Sequence, residues 1–279
     1  MEATPLKISR TDFESAVPAA KMKNDSVFLM LLSKFETAYV DLVQEMLGSV
    51  GEDAALGGEN TMLLLLAKTM VCQRTFIDNF RSLDVVLTAT GFGVVSTQDL
   101  TPASKARVDA LLAQCEVEAL RTRDRLLTCL FSVEGWNLQV QRRTSVPNLF
   151  YRFSFLSSLA GMPHPSEADW QSATALAAEA DAFLRLNIGD ELVDLLLSQL
   201  TSNSLSEKNQ KAVAMAHRVM GFHISGIKAA EKEHLRRLVD MIERDLESFP
   251  EYAASRAYQS RHFAVYENTK ESTAFFFQG

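Results

Sequence analysis

The chain has 279 residues, and 47% of them are hydrophobic, enough to fill the core of one large or two medium domains. Its 28 basic and 35 acidic side chains give a net charge of −7. Because nucleic acid and anionic lipid attract dense basic surfaces, this charge argues against nonspecific binding to either, and we expect no sequence-specific nucleic-acid partner. The longest apolar runs, such as 27–32, span about six residues, so the sequence predicts neither a secretory signal nor a membrane span.

The three cysteines predict no disulfide framework. Cys72, Cys115 and Cys129 are odd in number, far apart in sequence, and each lies within an apolar helical pattern. This usage is typical of free thiols in a reducing compartment. We therefore expect an intracellular protein.

The spacing of apolar residues predicts a mainly α-helical fold. Between the 12 glycines and 7 prolines, apolar residues recur three and four positions apart, which is the pattern of amphipathic helices. Capping residues at 24–26 open a first helix, which Gly48 and the glycines that follow it are predicted to end. A second helix is predicted from about Asn60 to just before Asp84. Its run 62–66 is apolar on all sides and is therefore predicted to be buried.

The segment near 85–96 has a different character. It combines β-branched residues with the Gly91-Phe92-Gly93 pair of glycines, which predicts a short β-hairpin or extended arm. Such an arm has unpaired strand edges and commonly builds an assembly contact. After it, Thr101 and Pro102 form an N-cap and first-turn pair that is predicted to open a long helix reaching about Phe131.

We predict two related helical-bundle halves, because the order helix, turn, helix, turn, long helix occurs twice. Ser166, followed three residues later by Asp169, predicts a capped start for the second half. The predicted segments are an N-terminal helical half over 1–134 with its β arm, a connection over 135–166, a C-terminal helical half over 167–260 and an extended aromatic tail over 261–279. The connection contains three prolines and is predicted to hold one short helix around 149–159.

No motif in the sequence predicts a catalytic residue, a cofactor or a metal. Glu231 and His234 form a Glu-x-x-His pair, but a di-iron helical bundle needs a second such pair, and basic neighbours indicate a solvated charged face. The glycines at 91 and 93 lack the lysine and third glycine of a phosphate loop. The sequence leaves open a catalytic site whose residues lie far apart in the chain and meet only in the folded protein. A local basic cluster, predicted to form interhelical or intersubunit ion pairs, consists of Arg121, Arg123, Arg125, Arg142 and Arg143.

The aromatic tail and the arm are the predicted assembly contacts. Aromatic side chains at the very C-terminus are an aggregation hazard in water, so they must pack against something. They either pack on the helices of the same chain or insert into a neighbouring subunit. The candidate contact residues are Val85, Val86, Leu87, Phe92, Val94, Val95, Phe263, Tyr266, Phe275, Phe276 and Phe277.

These features together resemble an uncharacterised structural-protein family of Bacteroides-type phages and prophages. The resemblance covers about 24–279 and rests on the two similar halves, the arm at 91–95, the helix start at 101–104, and the tail from Tyr266 to Phe277. It implies a virion protein, assembled in the cytoplasm of the bacterial host, that forms a ring on the portal as a head-to-tail connector or adaptor. The implied partners are further copies of the chain, the portal, and tail or neck proteins. The resemblance supplies no catalytic residue and no cofactor.

Two other functions stay open at this point. The first is a non-viral cytoplasmic helical scaffold or regulatory binding protein, which would be monomeric or dimeric. The second is a helical metal-dependent enzyme, whose metal content would depend on Glu231 and His234.

Overall fold

Helices dominate the computed structural model, which describes residues 6–20, 26–58, 60–83, 86–88, 91–93 and 104–263. The predicted mainly α fold is therefore confirmed. The α-helices, in chain order, are α1 (Arg10–Ala16), α2 (Ser26–Leu31), α3 (Phe35–Leu42), α4 (Gly48–Leu56), α5 (Thr61–Leu83), α6 (Lys105–Leu130), α7 (Val140–Ser145), α8 (Phe155–Ser158), α9 (Glu167–Ile188), α10 (Asp190–Thr201), α11 (Glu207–Ile224), α12 (Lys228–Glu243), α13 (Pro250–Ala253) and α14 (Arg256–Arg261). Single 3-10 or π turns lie at Pro18–Ala20, Leu32–Lys34, Val43–Leu47, Trp136–Leu138 and Leu246–Ser248. Two three-residue strands, β1 (Val86–Thr88) and β2 (Gly91–Gly93), pair antiparallel.

Residues 26–56 form one helical path whose direction changes at short turns. A 3-10 turn joins α2 to α3, and the π turn joins α3 to α4 without a loop. The prediction that Gly48 and its following glycines end the helix is therefore wrong for Gly51, which lies inside α4, and for Gly48. This residue adopts a φ of 64°, which redirects the chain, and α4 continues until Gly57. A side chain at position 48 would also place its Cβ 2.8 Å from Gln141 Oε1.

The two long helices α5 and α6 pack along each other and form the centre of the N-terminal half. α5 begins where the sequence predicts, and Asn60 Oδ1 accepts the Leu63 backbone N–H at 3.0 Å. α6 begins later than the predicted start at Thr101. Ser104 is its N-cap, and the extended backbone of that residue, with ψ of 147°, marks the helix boundary.

The segment predicted as a connection between the halves supplies a large part of the core. Its only α-helices within the described residues are the short α7 and α8, of which α8 lies inside the helix predicted around 149–159. One hydrophobic cluster joins this segment to both halves. Its buried side chains include Trp136, Val146, Leu149, Phe150, Tyr151, Phe153 and Leu156.

Two neighbouring side chains of α6 bind the backbone of this buried segment. Asp124 is 8% exposed and accepts the two backbone N–H groups at 153–154, both at 2.9 Å. Arg123 donates to the carbonyl oxygens of Tyr151 and Ser145 at 2.9 and 2.7 Å. Four backbone groups of an irregular segment thereby gain partners, which they need because unpaired polar groups are costly to bury.

In the C-terminal half the first helix begins at the predicted position. Ser166 and Asp169 form the predicted capping box at the start of α9. α11 packs against both α9 and α12. Its Gly221 lies so close to the connection that a Cβ there would be 2.6 Å from the Leu159 carbonyl oxygen, so only glycine allows α11 to approach at this point.

We expect Asp124→Ala to lower the free energy of unfolding by about 2–4 kcal/mol, because it leaves two buried N–H groups without an acceptor. Urea denaturation monitored by circular dichroism measures this change. The matched control is Asp109→Ala on the same helix, whose partner Arg81 is 70% exposed; its loss should be below about 1 kcal/mol. Equal losses in the two variants would contradict the anchoring role of Asp124.

Candidate assembly surfaces

The backbone at the predicted arm is a two-stranded ladder, in which Val86 lies opposite Gly93 and Leu87 lies opposite Phe92. Outside the described residues lie Val85, Val94 and Val95, as well as the side chains of both strands. The use of this segment as an assembly contact therefore stays a prediction.

The aromatic tail enters the described part of the chain only at its first residues. Phe263 follows α14 and is 78% exposed. Outside the described residues lie Tyr266, Phe275, Phe276 and Phe277. Whether the tail packs on its own chain or on a neighbour stays a prediction, but its described root presents an aromatic ring to solvent.

The first turns of α5 expose apolar side chains that the sequence predicts to be buried. Within 62–66, Leu63 and Leu66 are buried, whereas Met62 and Leu65 are each 54% exposed. The predicted burial of the whole run is therefore wrong. The physical reason is that α5 faces the core on one side only, and residues three apart share one side of a helix.

The helical path before α5 adds to this exposed apolar area. Leu29, Met30 and Leu32 are 61%, 57% and 51% exposed, and α2 is in contact with α5. Leu29 and Leu32 lie three residues apart, a spacing that places two side chains near one side of a helical path. We define the N-terminal apolar surface as Leu29, Met30, Leu32, Val40, Met62 and Leu65.

Sequence reasoning missed this surface, although a signal for it exists. The runs 27–32 and 62–66 offer no polar side, and a helix that packs on one side of a body must then expose apolar groups on the other. Other exposed apolar side chains within the described residues are spread over separate elements, as is normal for soluble proteins. They include Leu138, Val140, Leu186 and Ile227.

The side chains of Glu231 and His234 bind different partners in the fold. Glu231 is 3% exposed, and its carboxylate lies 2.7 Å from His223 Nδ1 and 3.0 Å from Lys228 Nζ. Burial alone would raise the pKa of Glu231, but the hydrogen bonds from His223 and Lys228 lower it. His234 turns to the Ala230 carbonyl instead. The expected solvated face is therefore wrong for Glu231, whose charge is buried and paired between α11 and α12.

A second buried polar group lies where α11 meets the connection. The His217 ring packs 4.7 Å from the Phe155 ring. Burial and the nearby Arg152 charge lower the pKa of His217 to about 4. A hydrogen bond to the Leu149 carbonyl acts in the opposite direction and raises this pKa. Within the described residues, His217 Nε2 and Arg152 Nε are buried without hydrogen-bond partners. No nucleophilic side chain accompanies this pair in the contacts described.

Two members of the basic cluster bind groups inside the fold. Arg123 binds backbone carbonyls, and Arg142 donates to Thr201 Oγ1 at 3.2 Å. In the contacts described, these two side chains thus bind neutral acceptors and not the predicted interhelical carboxylates, and intersubunit ion pairing of the cluster stays a prediction. Arg121 pairs with Glu118 on its own helix.

The three cysteines are free thiols, as predicted. Burial raises the pKa of Cys72 to about 12 and also raises the pKa of Cys115 and of Cys129, which disfavours the reactive thiolate. Among the described residues, no group of three or more His, Cys, Asp or Glu side chains is arranged to hold a metal ion. None of the helices in the described part of the chain is long and apolar enough to cross a membrane.

Comparison with known proteins gives one family of unknown function (DUF6712), whose model matches residues 33–145. The match covers less than half of the chain. It includes α3 to α7 and therefore the N-terminal pair of long helices, together with part of the N-terminal apolar surface. No curated protein and no solved structure matches the chain significantly.

The low pKa of His217 predicts a loss of stability in mild acid. In the folded protein this ring takes up a proton only near pH 4, whereas an ordinary histidine does so near 6.5. Between these values the unfolded chain binds more protons, so stability falls as pH drops from about 6.5 to 4, by about 1–3 kcal/mol.

Chemical denaturation at a series of pH values measures this effect. His217→Gln should flatten the decline over this pH range, whereas His164→Gln, at an exposed position, should leave it unchanged. An unaltered pH profile in His217→Gln would show that another group titrates.

Proposed function

We propose that this chain is a non-enzymatic virion structural protein, a head-to-tail connector or adaptor that assembles as a ring on the portal. The N-terminal apolar surface carries the proposal, because large half-exposed aliphatic side chains on packed helices are typical of protein–protein contacts. The resemblance to a phage structural family supports assembly within a virion. The proposed partners are further copies of the chain, a portal, and tail or neck proteins.

The energy available from this surface favours repeated rather than single contacts. Fully burying a large aliphatic side chain contributes about 1.5–3 kcal/mol, so six side chains that are already half buried contribute roughly 5–9 kcal/mol. Association costs about 4–15 kcal/mol in lost freedom of motion. One such contact is therefore weak, whereas a closed ring gives each copy two contacts at once.

A ring also needs two different surfaces on each copy, since head-to-tail contacts close into rings when the rotation allows. The N-terminal apolar surface lies on α2 to α5, and the exposed Phe263 follows α14 in the other half. These two regions are the proposed complementary surfaces. The β arm and the remainder of the tail are proposed to extend the same contacts.

Light scattering after size exclusion tests the assembly. We expect a closed oligomer of the purified chain, or a complex that forms on adding a candidate portal protein. Deleting 264–279 should weaken the assembly while the circular dichroism spectrum stays helical. A full-length monomer that does not bind the portal protein would contradict the proposal and favour a cellular scaffold or regulatory protein.

Charge placed on the N-terminal apolar surface should oppose assembly. We expect Leu65→Glu to raise the concentration needed for half-assembly at least tenfold, because a carboxylate would be desolvated at the contact. The matched control is Leu186→Glu, at a position that is 77% exposed in the C-terminal half. Sedimentation velocity over a dilution series measures both variants. Equal shifts of the half-assembly concentration in the two variants would show that this surface is not part of the contact.

A further inference from the structure

A groove between the start of α11 and the end of α12 carries a local excess of positive charge. Its volume is about 500 Å³, and five basic side chains and two carboxylates line it. The chain as a whole has a net charge of −7, so this excess is confined to one part of the surface. Such a patch attracts an anionic partner. We define the basic groove by its exposed cations, Lys208, Lys211, Arg236, Arg237 and Arg244.

The cations lie on both walls of the groove. Lys208 and Lys211 are three residues apart and share one side of α11. Arg237 and Arg244 are seven residues apart, which is two helical turns and a rise of about 10 Å along α12 to its C-cap. The two helices pack along each other, and Lys208 pairs with Asp245 just after α12. The groove therefore presents positive charge over two helical turns, which suits an extended acidic surface better than one small anion.

The cations of the groove are still available to a partner. Both of its carboxylates, Asp240 and Asp245, are already paired with cations of the groove. Lys211 and Arg237 pair with carboxylates of their own helices but stay 64% and 60% exposed, and such exposed pairs are weak. Among the described residues, Arg244 has no ion-pair partner.

The N-terminal half offers an acidic surface. Residues 35–56, from α3 to α4, contain five carboxylates and no lysine, arginine or histidine. Tyr39 of α3 donates a hydrogen bond to Glu52 of α4, so the two helices meet there. We define the acidic side by the three exposed carboxylates that have no ion-pair partner in the described part of the chain, Glu36, Asp41 and Asp53.

Both surfaces adjoin the contacts that are proposed above for self-assembly. Glu36 lies four residues before Val40 and therefore shares one side of α3 with a member of the N-terminal apolar surface. Arg236 also lines a recess that reaches His262, directly before the exposed Phe263. The two charged surfaces thus extend the two proposed contact regions.

We propose that the basic groove receives the acidic side of a second copy of this chain. Opposite charges then meet in a head-to-tail contact between the C-terminal half of one copy and the N-terminal half of the next, and such contacts close into rings when the rotation allows. Met241 lines the same groove, so Val40 gains an apolar neighbour in the contact. This inference rests on the proposed self-assembly and names two surfaces that meet in it.

The groove is less suited to nucleic acid than to an acidic protein surface. DNA carries one negative charge per about 1.7 Å of its length, and Asp240 and Asp245 would face that charge. Stacking of single-stranded bases needs accessible aromatic side chains, whereas Phe249, the aromatic residue of the groove, is 2% exposed. Spaced carboxylates on a helix avoid both difficulties.

Two charge-reversed variants of the full chain test the contact by sedimentation velocity. One reverses the basic groove with Arg237→Glu and Arg244→Glu, and the other reverses the acidic side with Glu36→Lys and Asp41→Lys. Each should raise the concentration needed for half-assembly by about tenfold or more, because like charges then face each other.

An equimolar mixture of the two variants should recover most of the loss, since each reversed surface meets a complementary surface on the other variant. One chain that carries all four changes should recover it as well.

The matched control reverses two exposed cations outside the groove with Arg107→Glu and Arg218→Glu. It changes the net charge as much as the groove variant does, and it should shift the half-assembly concentration less than about threefold. Circular dichroism should show the same helix content in every variant.

Equal shifts in the groove variant and the control, or a mixture that stays unassembled, would overturn the inference while leaving self-assembly in place. A monomeric wild type would instead overturn the proposed function, and with it the second copy as partner. A groove variant that assembles like the wild type but loses binding to a labelled duplex DNA in fluorescence polarisation would assign the groove to nucleic acid and overturn the inference.

Discussion

The hydrogen bonds that Asp124 accepts from the connection and that Arg123 donates to it are the constraint on which the two halves depend. Consecutive residues on a helix point about 100° apart, so the two side chains of α6 bind the segment from different directions. Arg123 also lies 5.8 Å above the Trp170 ring on α9. A buried segment with little regular structure is thereby tied to the longest helix of one half and the first helix of the other.

Local signals in the sequence predicted the helices that local chemistry controls. Ser166 with Asp169 and Asn60 before α5 mark helix starts through side-chain caps. Gly48 misled the prediction, because a glycine with positive φ can redirect a helical path as well as end it. The burial of the connection could not be predicted, since its hydrogen-bond partners lie on α6, about 30 residues away in sequence.

The candidate surfaces show the same division between local and tertiary information. Phe263 was predicted as an assembly contact from its position after the last helix; it is 78% exposed, and its role as a contact stays a prediction. The exposure of Leu65 was not predicted, because an apolar run does not reveal which of its sides the fold leaves uncovered.

In the segment that matches the family of unknown function, the C-terminal residues bind the backbone near its N-terminal end. Trp136 donates to the Met46 carbonyl at 3.0 Å, and Ser145 donates to the Glu45 carbonyl at 3.2 Å. Both acceptors belong to the π turn, whose widened hydrogen-bond pattern frees carbonyl groups for outside donors. Residues after the predicted boundary at 134 thus return to the N-terminal half, and their packing continues to the end of α7.

Charge decides which contacts can hold copies of this chain together. Each copy carries a net charge of −7, so copies repel one another within the screening distance of about 8 Å at physiological salt. A contact that gains its energy from uncharged groups does not add to this repulsion. The N-terminal apolar surface is of this kind, because leucine, valine and methionine side chains form it.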